Sequence, residues 1–573
     1  MQKKEAIILG FFLAFILLSG IYYAITNSVT SDEKTHIATG YINVKFSDYR
    51  FNIEHPPFVK QLAALPLIFL NLNFPTDIFK VSNTGMDIVK IQDAFLYKVG
   101  NDLDLMLFLS RLPNILISLI LAIFIYLYSR KLNGKSAGFL SLLFFAFSPT
   151  FLAHTPLVTM DTAVSCFYFI TIYFFMRFAE TKKYLFVALT GLFLGLSLIS
   201  KFSALILIPV MYFLSVILYF NIEMPKDYAT VKNKIWKIIF FMPFLILVMS
   251  YKKSVTIIAP LLFVYLLSSV LSKKLKIAMK VNWASAILLV VLVIAFSIVI
   301  ADYTNYEWFP FHSATKAYFK GFDYFTGHAA DGQDSYLLGK FSHTGWWYYF
   351  PLAIFFKEPF VAILFIILGF IGFCIKKEKL WAKLILFIPM FAYLFVACFI
   401  NKVNIGVRHI LPIYPFLYVI VGYSIFVFKR FRFAPAIFYV LISVLIIDVV
   451  SAYPGHLAYF NRIVGGSANG YKLLDDSNIA WGQDWKRFKK YSKANNINKV
   501  KVASRFGYYA DDVKRISYEA LTPEDKIIPS EGWYVIETTQ LRSKDIQWLD
   551  KIKPVTKIGG SLLVYRINKA KKP

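Results

Sequence analysis

Residues 6–26 read AIILGFFLAFILLSGIYYAIT, an unbroken apolar run behind the short basic head Gln2-Lys3-Lys4. A helix rises about 1.5 Å per residue, so roughly 17 to 25 apolar residues cross the hydrocarbon core of a bilayer. The run is long enough to do so. It starts as a signal peptide would, but no small-residue cleavage site follows, and the expectation is an anchor. The same rule, worked outward, gives about thirteen spans. After a long polar stretch they centre near Leu119, Phe144, Phe169, Phe193, Leu214, Leu245, Val264 and Leu292, then near Phe365, Met390, Val419 and Val440. The expected fold class is mainly α, a polytopic membrane protein.

Composition agrees. The 573 residues are 58% hydrophobic, 18% aromatic and 17% charged, which excludes a disordered chain and argues against an ordinary soluble enzyme. The 62 Lys+Arg against 34 Asp+Glu give a formal charge of +28. In a soluble protein that excess would suggest nucleic acid; in a membrane protein it encodes orientation, because Lys and Arg collect in cytoplasmic loops. With the N-terminus inside, the inner connections carry Arg130, Lys131 and Lys135; Arg177, Lys182 and Lys183; Lys226, Lys232, Lys234 and Lys237; Lys273, Lys274, Lys276 and Lys280; Lys376, Lys377, Lys379 and Lys383; and Lys429, Arg430 and Arg432. The short outer connections are poorer, holding chiefly Lys201, Lys252, Lys253, Lys402 and Arg408. Orientation thus absorbs the excess, and no nucleic-acid partner is needed. Cys166, Cys374 and Cys398 lie in apolar runs and read as small buried hydrophobes rather than a disulfide framework.

An odd number of spans puts the tail outside. The expected organisation is a membrane module over residues 1–452 and an extracytoplasmic α/β domain over 453–573, with large outer loops at 27–105 and 302–350. Long ordered loops are usually functional, so the outer face is the expected working face. In the tail a helical stretch at Trp485 to Ala494 is followed by β-rich runs at Lys499 to Ala503, Trp533 to Thr539 and Ser561 to Ile567.

The candidate chemistry lies on that face. Asp32-Glu33 follows the first span, and Glu54-His55-Pro56-Pro57 with Lys60 comes next. Carboxylates at the interface can act as general base or metal ligand, or simply end a helix before a Pro-Pro turn. Asp161 stands at the mouth of an otherwise uncharged span, as a functional acid or as a helix cap. The outer cations are Lys201, Lys357 and Arg408 beside His409. Together they suit a phosphate, Arg best through its forked donors; singly each reads as a snorkelling residue. The recurrence of acids and cations on one side favours the joint reading. Gly134-Lys135-Ser136 is no phosphate loop, since Ser129 stands where the first glycine is needed.

In this order the pieces resemble the GT-C membrane glycosyltransferases, specifically the family 39 type that includes protein O-mannosyltransferases. The resemblance rests on Asp32-Glu33, His55-Pro56-Pro57 with Lys60, Ser110-Arg111-Leu112-Pro113, and Ser148-Pro149 through His154 to Asp161. It continues in Gly195 to Lys201, Gly345-Trp346-Trp347-Tyr348-Tyr349-Phe350-Pro351, Arg408-His409-Ile410-Leu411-Pro412, and Asp476-Ser477-Asn478 leading to Trp481-Gly482-Gln483-Asp484. It implies transfer of one mannose-like sugar from a polyprenyl-phosphate donor to a hydroxyl on a lipid, glycan or protein acceptor. The catalytic acid carries over onto Asp32, with Glu33 beside it. Arg408, His409, Lys201 and Lys357 would bind the donor phosphate. Glu54, His55 and Asp161 form the second acidic or acceptor site. In related lipid A aminoarabinose transferases a comparable acid helps bind a divalent metal, which here implies Glu54 and His55 as ligands. Trp346-Trp347 is followed by Tyr348-Tyr349, unlike the Trp-Trp-Asp-Tyr-Gly motif of oligosaccharyltransferases, and residues 302–350 are too short for the β-rich insert of eukaryotic protein mannosyltransferases. The compact loops and the absence of an organelle signal point to a prokaryotic cytoplasmic membrane.

The rival class is a polytopic lipid or solute transporter or flippase, which would show internal repeats and ionisable groups near the midplane. An assembly protein using its tail for interaction would need no acids and cations gathered on one face.

Overall fold

Long apolar runs form helices because a helix satisfies every backbone polar group internally where no water is available. The computed structural model describes residues 3–82, 87–221, 292, 311–429, 434–505, 516–542, 545–549 and 551–568. Among them, five helical runs are long and apolar enough to cross a membrane: Lys3–Thr26, Leu103–Asn133, Met160–Thr181, Leu380–Phe399 and Val407–Phe428. Tyr349–Lys357 and Phe360–Ile375 make a sixth if the pair is one span, bent by 119°. The bend falls at Pro359, which lacks an N–H and pushes Glu358 into extended backbone. The chain is thus a mainly helical multi-pass membrane protein.

The thirteen expected spans divide unevenly over this structure. Four of them, near Phe144, Phe193, Leu214 and Val440, are apolar helices of 10–17 residues, at or below the shortest straight crossing. The stretches around Leu245 and Val264, and around Leu292 apart from that residue, lie outside the described residues, as do Lys226 to Lys280, Arg430 and Arg432 of the inner connections and residues 302–310 of the outer loop.

Aromatic side chains fill the space between helices. Tyr126, Tyr128, Tyr168, Tyr414 and Phe169 are buried in one continuous core. Small residues allow the closest approach: a Cβ on Gly372 would come within 2.1 Å of the Tyr423 carbonyl oxygen, and one on Gly369 within 2.3 Å of that of Ile420. Polar groups collect at the helix ends. At one end Glu5 meets Arg130 at 2.9 Å and Lys135 at 3.4 Å, Lys131 meets Glu180 at 3.3 Å, and Lys376 donates to Asn133 at 2.9 Å. At the other end stand Asp32, Asp161, Lys201 and Arg408.

The segment after the first span is not an irregular loop. Helices Ser31–Phe46, Phe58–Ala64, Thr76–Val81 and Ile88–Asp93 share a small core of Ile37, Tyr41, Ile42, Phe95 and Met106. Within 302–350 stand a helix, Phe311–Asp331, and an antiparallel hairpin of β1 (Ser335–Leu337) and β2 (Lys340–Ser342). The tail carries a five-stranded mixed sheet: β3 (Lys499–Ala503), β4 (Ser517–Ala520), β5 (Gly532–Glu537), β6 (Thr556–Ile558) and β7 (Leu562–Ile567), in the order β4-β3-β5-β7-β6. β3 is parallel to β4 and β5, and β7 is antiparallel to β5 and β6. The helix Trp485–Ala494 turns Trp485 and Phe488 onto Val500, Val502, Val535 and Val564 and leaves its lysines outward. Alternation along β3 buries Val500 and Val502 while Lys499 faces solvent.

Candidate active site

The first span ends at Thr26, and the chain turns into the helix Ser31–Phe46. Glu33 closes that turn. Its carboxylate accepts the Thr30 N–H at 2.9 Å and the Thr30 hydroxyl at 3.1 Å, the reach-back expected of an acid three residues after an N-cap. Arg111, near the start of Leu103–Asn133, clasps the same carboxylate through Nε at 2.8 Å and Nη2 at 2.6 Å, and the Val158 N–H donates at 2.9 Å. The guanidinium also donates to the carbonyls of Ala24, Asn27 and Ser28. Both side chains are fully buried. Burial raises the Glu33 pKa, but the Arg111 charge and the hydrogen bonds more than offset it and hold the carboxyl below its ordinary value. Glu33, expected beside Asp32 as a catalytic acid, is thus held in the turn as a buried, paired anion. Asp32 keeps 32% of its side-chain surface open.

Asp32 faces Arg408, whose Nη2 lies 3.1 Å from its carboxylate. Arg408 sits in the turn Val407–Ile413 and is almost wholly buried. Its Nη1 lies 3.4 Å from Asp161, its Nε donates to Ser477 at 3.2 Å, and its guanidinium carbon stands 4.3 Å from the Trp481 ring centroid. Asp161, in the first turn of Met160–Thr181, also receives Lys201 Nζ at 2.6 Å. Lys201 is the residue at which Tyr184–Ser200 stops. Two carboxylates, Asp161 buried and Asp32 partly open, thus face two cations, and Asp161 bridges the like-charged pair.

The second candidate cluster begins one helical turn beyond Asp32 along the same helix. His36, Glu54 and His55 place ligand-capable atoms within 4.8 Å of one another. His36 Nδ1 bonds the Val158 carbonyl at 2.7 Å, which turns Nε2 away as the free ring nitrogen. Asn52 Nδ2 donates to Glu54 at 3.0 Å, and Lys60 Nζ pins the Asn52 and His55 carbonyls at 2.7 and 3.0 Å. His55 Nδ1 is buried without a partner. Burial holds both imidazoles neutral, with Lys201, His36 and Lys60 pressing His55 further down. A neutral imidazole pair beside a carboxylate is a donor set that suits a divalent cation. Asp161 is not part of this set; its oxygens are taken by Lys201 and Arg408.

Lys357 stands apart from Arg408 and Lys201. Its Nζ donates to the carbonyls of Leu457 at 2.7 Å and Asn478 at 2.6 Å and lies over the Phe460 ring. Lys357, expected among the phosphate-facing cations, is thus bonded to two carbonyls of the tail. Its neighbour Glu358 accepts from the Thr150 hydroxyl at 2.7 Å. His409 follows Arg408, and its Nε2 is buried without a hydrogen-bond partner. His154 packs edge-on to Trp481, and burial lowers its pKa to about 3.

Three contributors were not read from the sequence. His36 lies four residues after Asp32, a spacing that puts both on one helical face and was available as a signal. Ser477 and Trp481 fell within a quoted motif, but no local pattern tells that they reach Arg408.

Residues 95–246 match the family model described as Dolichyl-phosphate-mannose-protein mannosyltransferase. The resemblance to membrane glycosyltransferases of the GT-C kind, read from the residues, is thereby found again. No curated protein matches the chain. Among solved structures, ArnT from Cupriavidus metallidurans bound to undecaprenyl phosphate is 12% identical, covering 98% of each chain with a TM-score of 0.44. The Archaeoglobus fulgidus oligosaccharyltransferase is 11% identical over 99% of this chain and 75% of its own, with a TM-score of 0.42. The Pmt1-Pmt2 complex of S. cerevisiae is 16% identical over 53% of this chain and 33% of its own, with a TM-score of 0.32.

Proposed function

We propose, from the premise that this is a membrane glycosyltransferase of the GT-C kind, that it moves a single mannose-like sugar from a polyprenyl-phosphate donor to an acceptor hydroxyl, with inversion. The observation that supports this best is the pairing of Asp32 with Arg408. Of Asp32, Glu33 and Asp161, only Asp32 is open enough to meet an acceptor. Its carboxylate takes the proton of the acceptor hydroxyl as that oxygen attacks the anomeric carbon. The bond from that carbon to the phosphate oxygen breaks on the opposite face, and its electron pair leaves with the polyprenyl phosphate. Arg408 and Lys201 stabilise the developing charge, and because Asp161, Ser477 and Trp481 already fix them, little reorganisation accompanies the step. His409 supplies a further hydrogen-bonding group beside Arg408. The acceptor is a lipid, glycan or protein carrying a free hydroxyl.

His36, Glu54 and His55 would hold a divalent metal. Bound there, it would add positive charge and a Lewis acid beside the acceptor side of the site. We place the chain in the cell membrane of a prokaryote, with its N-terminus inside and its tail outside. The test is Asp32→Asn. It should lose at least ~10²-fold in sugar transfer, as expected when a general base is removed, while still binding carrier lipid and melting as the wild type does. Transfer at the wild-type rate would overturn the assignment.

A further inference from the structure

The tail returns to the site through one loop, residues 475–484, and this loop touches both Arg408 and the turn that leads into Asp32. The Gln483 carbonyl accepts the Ser28 N–H at 2.9 Å, and the Trp481 carbonyl accepts the Ser31 N–H at 3.0 Å. These two bonds hold the chain on either side of Thr30, immediately before Asp32. The same loop holds Arg408. Ser477 Oγ accepts from its Nε at 3.2 Å and donates to the Ile405 carbonyl at 3.1 Å, while the Trp481 ring carries the guanidinium face. Asn478 Oδ1 accepts the Val407 N–H at 3.0 Å, and its Nδ2 donates to the Tyr349 hydroxyl at 3.0 Å.

The loop is itself rigid. The Gln483 side chain accepts from the Trp481 N–H and donates to the Ile479 carbonyl, both at 2.8 Å. Lys357 grips the Asn478 carbonyl from behind. Asp476 is held at φ 56°, a left-handed conformation that a non-glycine residue keeps only where its surroundings impose it. Gly406 leaves room for Ser477: a Cβ there would come within 2.2 Å of Ser477 Oγ.

We propose that residues 475–484 are a template that sets the spacing between Asp32 and Arg408, with Ser477 and Trp481 as positioning residues for the cation. Base and cation come from sequence positions far apart and pair with each other at 3.1 Å, and this one segment is bonded both to the turn that leads into Asp32 and to Arg408 itself. The tail is thus a structural component of the active site. This inference rests on the transfer reading above, and deepens it.

The test uses the full chain in lipid nanodiscs, as wild type, Ser477→Ala, Gly406→Ala, Gly482→Ala, Trp481→Phe and Trp481→Leu. Three quantities are measured: release of label from a polyprenyl-phosphate mannose labelled in the sugar, the melting midpoint, and hydrogen exchange at the Ser28 and Ser31 amides. Ser477→Ala should lower kcat at least tenfold with KM for the donor changed less than threefold, out of proportion to any shift in the melting midpoint, the mark of lost alignment rather than lost fold. Gly406→Ala, which crowds Ser477, should lower kcat likewise and also lower the melting midpoint. Trp481→Phe, which retains an aromatic face for the guanidinium, should keep most of the wild-type rate, and Trp481→Leu should not. Gly482 has φ 95°, so an added Cβ distorts the loop; Gly482→Ala should speed exchange at Ser28 and Ser31 at least tenfold. Ser477→Ala removes one oxygen and carries the activity arm if a glycine variant fails to fold. An active wild type with all variants within twofold of it overturns the template while leaving the transfer reading intact. A wild type that releases no label overturns the transfer reading, and unchanged exchange in Gly482→Ala then overturns the template as well.

Discussion

Two adjacent carboxylates should respond in opposite ways to the loss of charge. Glu33→Gln leaves the Arg111 guanidinium fully buried among the neutral carbonyls of Ala24, Asn27 and Ser28, with no anion. The amide nitrogen introduced there would face donors, because the Thr30 N–H and hydroxyl, the Val158 N–H and two Arg111 nitrogens all donate to the native carboxylate. Removing one partner of a buried, hydrogen-bonded ion pair costs about 3–5 kcal/mol, which is roughly a 10²- to 5 × 10³-fold shift in the unfolding equilibrium. Asp32→Asn weakens a partly open pair at 3.1 Å but leaves Arg408 paired with Asp161, so it should cost clearly less than Glu33→Gln. Denaturation in mixed micelles, followed by tryptophan fluorescence, reads both. The pH dependence has a definite sign. Because the folded-state pKa of Glu33 lies below its unfolded value, its contribution is fully present above about pH 4.5 and is lost as pH falls through the folded-state value. A Glu33→Gln protein within 1 kcal/mol of wild type, or an Asp32→Asn protein destabilised as much as Glu33→Gln, would refute the division of roles.

Other outcomes follow from the remaining contacts. Equilibrium dialysis with Co(II) or Zn(II) should find one bound equivalent, and His36→Ala should weaken binding at least tenfold; a wild type that takes up no metal refutes the His36-Glu54-His55 site. Because burial keeps His36 and His55 neutral below the ordinary histidine value, that affinity should change little from pH 8 to pH 6.5, whereas a steep fall over this range would contradict it. Lys201→Gln should weaken binding of polyprenyl phosphate about tenfold by removing one of two fixed cations; unchanged affinity would exclude Lys201 from the phosphate site. Burial lowers the His154 pKa from 6.5 to about 3, so the folded state resists protonation that the unfolded state accepts, and stability should fall progressively as pH drops below about 6.5. His154→Gln should make that acid limb shallower, and an identical limb would refute the assignment.

The residues of the site stood out in the sequence for a physical reason. Asp32, Asp161, Lys201 and Arg408 each interrupt or end an apolar run, where an ionisable group is expensive and therefore conspicuous. What each does was less legible. Asp32 and Glu33 are neighbours in sequence, but successive helical residues point about 100° apart. That rotation sends one into the Arg111 clasp and leaves the other open. Lys357 ends an apolar run just as Lys201 does, yet it meets carbonyls of the tail, Leu457 and Asn478, which lie 100 residues or more further along the chain. The four apolar runs that form short helices have composition enough for a span, but their ends are fixed by neighbouring turns, which composition does not record. Ser477 and Trp481 reach the site only through the tertiary return of the tail, and no local pattern encodes that return.

The central claim is that Asp32 drives inverting transfer of a sugar from a polyprenyl phosphate. Its most direct test is to give purified wild-type and Asp32→Asn protein a β-linked polyprenyl-phosphate mannose labelled in the sugar, and to determine where the label goes and the anomeric configuration of the product. The account predicts that the wild type moves the label off the lipid into an α-linked product and that Asp32→Asn leaves it on the lipid. Label retained on the lipid by the wild type, a β-linked product, or equal transfer by the variant would contradict it.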